Sequence, residues 1–329
     1  MLRSKSLLVC VVESRESVLC SEVDLESTIL RDVASGRLVM FEGRDARRGA
    51  ELASADALIV SHHPRISSDL IETLQSVRVI ARNGAGFDNI DVQAAHDAGI
   101  PVCNVPDCGT EEVADHAILL TLALQRRLLS GLQETQAGGW DWRAAAPWRR
   151  LRGQIFGIVG CGRIGTATAL RAKAFGFRVL FHDPYVVAGY EKALGAERAQ
   201  SLHELLDASN VVSLHAPLTQ ETQGLIGFEE LDAMKPEAFL VNTARGALVC
   251  EAALVSALQS ERIAGAALDV LEAEPAAGPA LFAHPNCLIT PHMAFYSAEA
   301  IRDMREGAAR VVRKVLETGL ATNVVNGIQ

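Results

Sequence analysis

Gly160, Gly162 and Gly165 stand between an apolar run, Gln154 to Gly160, and a helical stretch, Arg163 to Phe175. A second apolar run, Phe177 to His182, follows and ends at Asp183. In a G-x-G-x-x-G set each glycine has a separate task. The first permits a tight turn, the second lets the backbone approach a pyrophosphate, and the third lets the helix pack close to the sheet. The helix N-terminus then offers N–H groups and the positive end of its dipole to phosphates. This strand–turn–helix–strand order reads as a dinucleotide site on a parallel sheet. Asp183 also selects the cofactor, because a carboxylate there accepts the adenosine ribose hydroxyls and repels a 2′-phosphate. No Arg or Lys lies in His182-Asp183-Pro184-Tyr185, so NAD is expected over NADP.

The rest of the chain alternates in the same way. Strands are expected at Leu7–Val12, Leu38–Phe41, Ala57–Ser61, Val77–Ala81 and Val102–Val105, with helices between them. One of these helices is Ser67–Leu74, with capping chemistry from Ser67, Ser68 and Asp69. A long helix should run from Thr110 to Leu129, opened by Thr110 and the acidic pair Glu111–Glu112. An irregular Gly-, Trp- and Arg-rich segment, Ala137 to Leu151, leads into the glycine motif. Further strands are expected at Val211–His215, Phe239–Ala244, Gly265–Leu271 and Cys287–Thr290, with a capping box at Ser201–Glu204. A final amphipathic helix, Ala298 to Leu316, is placed to cross back to the first domain. Such alternation means an α/β fold: two Rossmann-like or flavodoxin-like doubly wound parallel-sheet domains, with chemistry expected in the cleft between them. The expected division is residues 1–107 plus 297–329 for one domain and 108–296 for the other.

Composition narrows the function classes. The formal net charge of −9 argues against nucleic acid or an anionic membrane as a partner. Apolar runs such as Ala117 to Leu124 are too short to span a bilayer, and Met1 to Cys10 has no signal-peptide pattern. Seven cysteines without a C-x-x-C pair suit a reducing compartment, so a cytoplasmic location is expected. His62-His63, His182 and Cys287 lack metal-ligand spacing, and no metal is expected. An anionic substrate would need local positive charge, which points to Arg82 and Arg245, both embedded in glycine-containing motifs.

Four clusters fall at expected strand ends. In Arg82-Asn83-Gly84-Ala85-Gly86 through Asp91, consecutive backbone N–H groups can form an anion-binding concavity, or the glycines can simply make a turn before an Asp91-capped helix. In Asn242-Thr243-Ala244-Arg245-Gly246, a guanidinium at a strand's carboxyl end can hold a carboxylate bidentately, or be a surface arginine in a turn. The others are Asp269-Val270-Leu271-Glu272-Ala273-Glu274-Pro275 and Pro291-His292. Glu274 and His292 are each bland alone. Together they can form a carboxylate–imidazole pair that raises the imidazole pKa above about 6.5 and keeps a proton available near neutral pH.

With these motifs in order, the chain resembles the D-isomer-specific 2-hydroxyacid dehydrogenases over essentially its whole length. The matching stretches are Asn83–Asp91, Gly160–Gly165, Ser213–Thr219, Met234–Gly246, Ala267–Val270 with Glu274-Pro275, and Thr290–His292. Within the family the likeness is nearest to the C-terminal-binding proteins, carried by Leu170–Phe177, Val241–Gly246, and Tyr296-Ser297 with Met304-Arg305-Glu306. The resemblance implies that Arg245 holds the substrate carboxylate, and that His292, oriented by Glu274, is the acid/base. The Gly84, Ala85 and Gly86 backbone, with Arg82 nearby, would grip the other side of the substrate. Pyrophosphate would lie over Arg163 and Ile164 beside Gly160, Cys161 and Gly162, with the ribose on Asp183 and adenine at Ala216, Pro217 and Thr222. Thr243 and Ala244 would line the nicotinamide ribose, and Asp269 would bond the carboxamide. The implied reaction is hydride transfer between NAD and a small 2-keto or 2-hydroxy acid, and the implied assembly is a homodimer.

The departures from that pattern are informative. Phe295 stands where the C-terminal-binding proteins, which are transcriptional corepressors, carry tryptophan, and Ser61-His62 where they place an aromatic residue before His, which makes His62 and Phe295 candidate pocket residues. Ala247 and Cys250 replace a glycine and an acidic helix cap, which should cost local stability. Cys161, near a helix N-terminus, reads either as a thiol of lowered pKa or as a small filler. Besides the enzyme, the branch likeness leaves one other function, an NADH-responsive corepressor-like scaffold.

Overall fold

The computed structural model describes residues 7–14, 23–41, 52–146, 149–274 and 279–328, apart from the side chains of Leu38, Phe41 and Pro279. Pro275 of the third cluster lies outside the described residues. The chain divides into two compact units, Met1–Gly109 with Tyr296–Gln329, and Thr110–Phe295.

The first unit holds β1 (Leu7–Ser14), β2 (Ala34–Phe41), β3 (Ala57–Val60), β4 (Ile80–Arg82) and β5 (Val102–Cys103). They form one parallel sheet in the order β2-β1-β3-β4-β5, a flavodoxin-like order. Both faces are buried, and the period of two decides which residue meets which core. Cys10, Val12, Leu58 and Val60 face one apolar cluster, while Val9, Val11, Ala57 and Ile59 face another. The second cluster is completed by Ala308, Ala309, Val312 and Val315 of the Ala298–Thr318 helix. That helix starts on Ser297, whose hydroxyl accepts the Ala300 N–H, and stops at left-handed Gly319.

The second unit holds β6 (Ile155–Val159), β7 (Arg178–His182), β8 (Glu197–Arg198), β9 (Val211–Leu214), β10 (Phe239–Asn242), β11 (Gly265–Leu268) and β12 (Cys287–Ile289). All pairs are parallel, in the order β12-β11-β10-β9-β6-β7-β8. The order runs outward in both directions from β6, as in Rossmann sheets, with the reversal point between β6 and β9. Both units are therefore doubly wound α/β folds.

Several local expectations need correction. The helix from Thr110 ends at Gln125, and a second one, Leu128–Gln136, follows. Arg127 between them is left-handed (φ 46°), and its guanidinium reaches Asn286 Oδ1 at 3.5 Å. The Ser68–Ile71 helix is a single turn whose N-cap Ser67 makes no side-chain bond, too short to need the capping chemistry read into it. Ser201 does accept the Glu204 N–H, but Glu204 returns to Gln200 rather than to Ser201. Strand β4 begins and ends later than Val77–Ala81, at Ile80–Arg82. Among its described residues, the irregular segment after Ala137 contains a short 3-10 turn, Trp142–Ala145, capped by Asp141.

One buried ion pair ties the first unit together. Arg305 Nε and Nη2 donate to the two oxygens of Glu26, at 2.8 and 2.7 Å, and the Glu26 side chain has no exposed surface. Removing one partner of such a pair leaves an uncompensated buried charge. Arg305→Met should destabilise the protein by about 3–5 kcal/mol. The Glu26→Leu, Arg305→Met double variant should recover most of that loss in urea melts; a single variant with wild-type stability would contradict this account.

Candidate active site

The three motif glycines take the conformations their tasks need. Gly160 has φ +88°, and a Cβ there would fall 2.7 Å from Ala216 N, at the junction of β6 and β9. A Cβ on Gly165 would fall 2.1 Å from Gly160 O, so only glycine lets the Arg163–Ala174 helix sit this close to the strand. A Cβ on Gly162 would meet nothing within 4 Å. The space over Gly162, the N-cap residue, is thus open for a ligand's close approach. Arg163 and Ile164 form the first turn beyond it.

Asp183, directly after β7, has both oxygens engaged with the backbone. Oδ2 accepts the Cys161 N–H at 2.8 Å, while Oδ1 accepts those of Tyr185 at 2.9 Å and Val186 at 3.2 Å. The carboxylate therefore fixes the glycine loop as well as its own turn. Burial pushes the Cys161 thiol up to about 11, which removes the reactive-thiol alternative and leaves a small buried filler.

A cavity of about 580 Å³ opens beside this loop, lined by Gly160, Asp183, Ala216, Pro217 and Thr222. Its volume and largely apolar walls suit the adenosine half of a dinucleotide. Thr222 shapes the wall, its hydroxyl donating to Pro217 O at 2.6 Å and accepting from Thr219 N at 2.8 Å. Tyr185 and Glu221 also line the cavity, and the phenol donates to the Glu221 carboxylate. Sequence reasoning missed this pair. Directly after β9, His215 Nε2 meets Ser213 Oγ at 2.9 Å. The residue as a whole is half-buried, but its Nδ1 is sealed from solvent, and burial holds the imidazole down to about 3, neutral across the physiological range.

The chemistry-bearing residues cluster at the carboxyl ends of β10, β11 and β12. Asn242, Leu268 and Ile289 are register partners across these strands, and Arg245, Asp269 and His292 lie within three residues beyond them. Asn242 shapes the first turn: its amide donates to Arg245 O and accepts the Ala244 N–H. A Cβ on Gly246 would fall 1.9 Å from the Leu271 carbonyl carbon, so glycine lets the Arg245 turn press against the loop carrying Glu274. Glu274 Oε1 accepts the Leu271 N–H at 3.0 Å, and Oε2 meets His292 Nδ1 at 2.8 Å. The separated acid and imidazole do meet. Phe295 stands edge-on to the His292 ring, with centroids 6.0 Å apart. Thr243 Oγ1 is buried with no hydrogen-bond partner among the described residues, a vacancy in hydrogen bonding that a cofactor hydroxyl can fill. Downstream, Cys250 caps the Glu251–Gln259 helix without a side-chain bond.

Asp269 is more heavily used than the sequence suggests. Oδ1 accepts the Thr290 hydroxyl at 2.5 Å and the Met293 N–H at 2.9 Å, and Oδ2 accepts the Ala294 N–H at 2.9 Å. Its backbone carbonyl accepts the His292 N–H at 2.8 Å. These bonds hold His292 at φ +51°, a left-handed conformation unusual for a residue other than glycine.

Arg82, Gly84, Ala85, Gly86 and His62 belong to the first unit. Val105 N donates to Gly84 O at 3.0 Å and Asn104 Nδ2 to Ala85 O at 2.7 Å. In a trans peptide the N–H points opposite the carbonyl, so the N–H groups of Ala85 and Gly86 face away from residues 104 and 105. Gly84 has φ +139°, with the buried Arg82 guanidinium packed where its Cβ would be. The His62 ring lies tilted against that of His63 just beyond β3, with centroids 3.9 Å apart. Asp91 caps its helix through a bond to Ala94 N.

The glycine geometry separates two variants. Gly162→Ala should fold with wild-type stability but bind NADH at least about tenfold more weakly, because its methyl occupies the approach to the loop. Gly165→Ala should lose about 1–3 kcal/mol of stability through overpacking. Thermal melts and NADH fluorescence titration check both, and equal stability losses would contradict the assignment.

Residues 118–294 match the family model described as D-isomer specific 2-hydroxyacid dehydrogenase, NAD binding domain. A D-3-phosphoglycerate dehydrogenase of Methanocaldococcus jannaschii is 38% identical over 276 residues, which is 84% of this chain and 52% of that protein. C-terminal-binding protein 1 of Caenorhabditis elegans is 35% identical over 318 residues, 94% of this chain and 43% of that protein. The chain thus spans about half the length of these curated relatives. A solved D-lactate dehydrogenase from Aquifex aeolicus, complexed with NAD and lactic acid, matches with a TM-score of 0.84 and 30% identity, covering 93% of this chain and 95% of that one. The glycine turn, the β6–β9 reversal point and these likenesses agree: the chain belongs to the D-isomer-specific 2-hydroxyacid dehydrogenase family, whose NAD-binding domain it carries.

Proposed function

We propose that this protein is an NAD-dependent oxidoreductase that interconverts a small 2-keto acid and its D-2-hydroxy acid. The observation that carries the reading is the Glu274–His292 pair at 2.8 Å, one strand end away from the turn bearing Arg245. Bound NADH supplies the hydride. The chain's own residues bind the acid and handle the proton. Glu274 accepts the His292 Nδ1–H, so Nε2 is the nitrogen that carries a proton to the keto oxygen, or takes it back in the reverse direction. Arg245 presents a guanidinium fork suited to a carboxylate, and the backbone N–H groups of the Ala85-Gly86 turn are donors of the same kind. Asp183 favours NAD by repelling a 2′-phosphate.

The test is NADH oxidation against glyoxylate, hydroxypyruvate, pyruvate and larger 2-keto acids. Turnover of at least one is expected. His292→Asn should lower kcat by roughly 10²–10⁴-fold, and Glu274→Gln by a smaller factor. Arg245→Lys should mainly raise KM for the keto acid. Tight NADH binding with no turnover of any acid would overturn the enzyme. It would favour the second reading, an NADH-responsive scaffold, for which the likeness to C-terminal-binding protein 1 across 94% of this chain is the supporting observation.

We also propose that the protein is a homodimer through the second unit. The Leu128–Gln136 helix has no buried residue, and Leu128, Leu129 and Leu132 are exposed, as are Trp140 and Trp142. Apolar side chains clustered this way suit an interface between two copies. Light scattering should give about twice the chain mass, and Leu132→Glu with Trp140→Ser should shift it toward monomer. A monomeric wild type at micromolar concentration would contradict this.

A further inference from the structure

His116 is a largely covered histidine that no part of the mechanism above uses. It lies on the Thr110–Gln125 helix, and its side chain is 11% exposed. Nε2 stands 3.0 Å from Thr290 Oγ1 and 3.6 Å from Asp269 Oδ1. A threonine hydroxyl has one proton, and here it goes to Asp269 Oδ1 at 2.5 Å. The Thr290 oxygen must therefore accept from His116, which places a proton on His116 Nε2. The result is a directed chain, His116 Nε2–H to Thr290 Oγ1–H to Asp269 Oδ1. Asp269 in turn holds the backbone N–H groups of Met293 and Ala294 and, through its carbonyl, that of His292.

We propose that His116 is a positioning residue for the proton-transfer loop. It acts through Thr290 and Asp269 to hold residues 290–294 in the turn that keeps His292 left-handed. Three features carry this. The chain has a fixed donor direction, so each link depends on the one before it. The Asp269 side chain is only 1% exposed, so water cannot readily replace a lost partner. The turn being held is one that a histidine backbone does not adopt without support, given its φ of +51°. His116 is the member of this network contributed by a helix rather than by a strand-end loop, and it anchors the loop to the unit's framework. The proposal deepens the enzymatic reading and rests on it for the consequence in turnover, though not for the clamp itself.

The test compares three variants of the full chain. His116→Leu removes the donor, His116→Gln keeps an N–H near the Nε2 position, and Thr290→Val removes the bridging hydroxyl with little change of shape. Hydrogen–deuterium exchange of the peptide spanning 291–295 should speed up at least tenfold in His116→Leu and in Thr290→Val. It should stay within threefold of wild type in His116→Gln, with strand β9 unchanged in all. Combining His116→Leu with Thr290→Val should add little, because both cut one chain. With the best keto acid and NADH, His116→Leu should lower kcat at least tenfold while KM for the acid moves less than threefold, and His116→Gln should recover most of the rate. Unchanged exchange in His116→Leu would overturn the proposal, as would a glutamine variant no better than leucine. If His116→Leu does not fold, Thr290→Val and His116→Gln decide it by the same readouts. Absence of turnover in every variant, wild type included, would remove the enzymatic reading, while the exchange comparison would still judge the clamp.

Discussion

The parallel, in-register pairing of β10, β11 and β12 is the constraint on which the rest depends. Because the strands share a direction and a register, with Asn242, Leu268 and Ile289 opposite one another, their carboxyl ends finish side by side. Residues far apart in the sequence then emerge within a few strand spacings of each other, at about 4.8 Å per step. Arg245, Asp269 with Glu274, and His292 come from the turns after these three strands in succession. An antiparallel pairing, or a slip of one residue, would scatter them or turn their side chains to the opposite face.

The same sheet shows why glycine is needed at so few places. Gly160 and Gly165 serve the crowded junction of β6, β9 and the following helix, and Gly246 serves the contact between the Arg245 turn and the Leu271 carbonyl. Gly162 is different, since it serves something outside the chain. Around these points the loops are held by carboxylates that accept backbone N–H groups: Asp183 for the glycine loop, Asp269 for residues 293 and 294, and Glu274 for Leu271. Each of these acids therefore organises a loop besides any part it has in binding or catalysis. In a protein of net charge −9, part of the accepting capacity of each of these carboxylates is thus taken up by backbone N–H groups.

Much of this was legible in the residues. Glycine spacing, apolar runs of strand length and the position of Asp183 are local signals, and they located both sheets and the dinucleotide turn. Pairing Glu274 with His292 needed the sheet order, which alternation alone does not give. Other features left no local signal. The break at Arg127 interrupts a pattern that otherwise favours one long helix, and the Arg127 side chain reaches Asn286, more than a hundred residues away in the chain. The Tyr185–Glu221 contact joins two exposed loops. His116 sits among alanines and leucines, where a core histidine and a functional one look alike until Thr290 is seen 3.0 Å away. The Cys161 thiol was open to two readings because helix ends lower a thiol pKa and burial raises it, and only the depth of burial decides between them.

The residues gathered at these strand ends are proposed to support hydride and proton transfer to a 2-keto acid. Turnover of a keto acid with NADH deuterated at nicotinamide C4, followed by chiral separation and mass analysis of the product, tests this most directly. One deuterium on C2 of the D-2-hydroxy acid is expected when the label is on the transferred face. Unlabelled product from both labelled faces, or label found in the L-enantiomer, would contradict it.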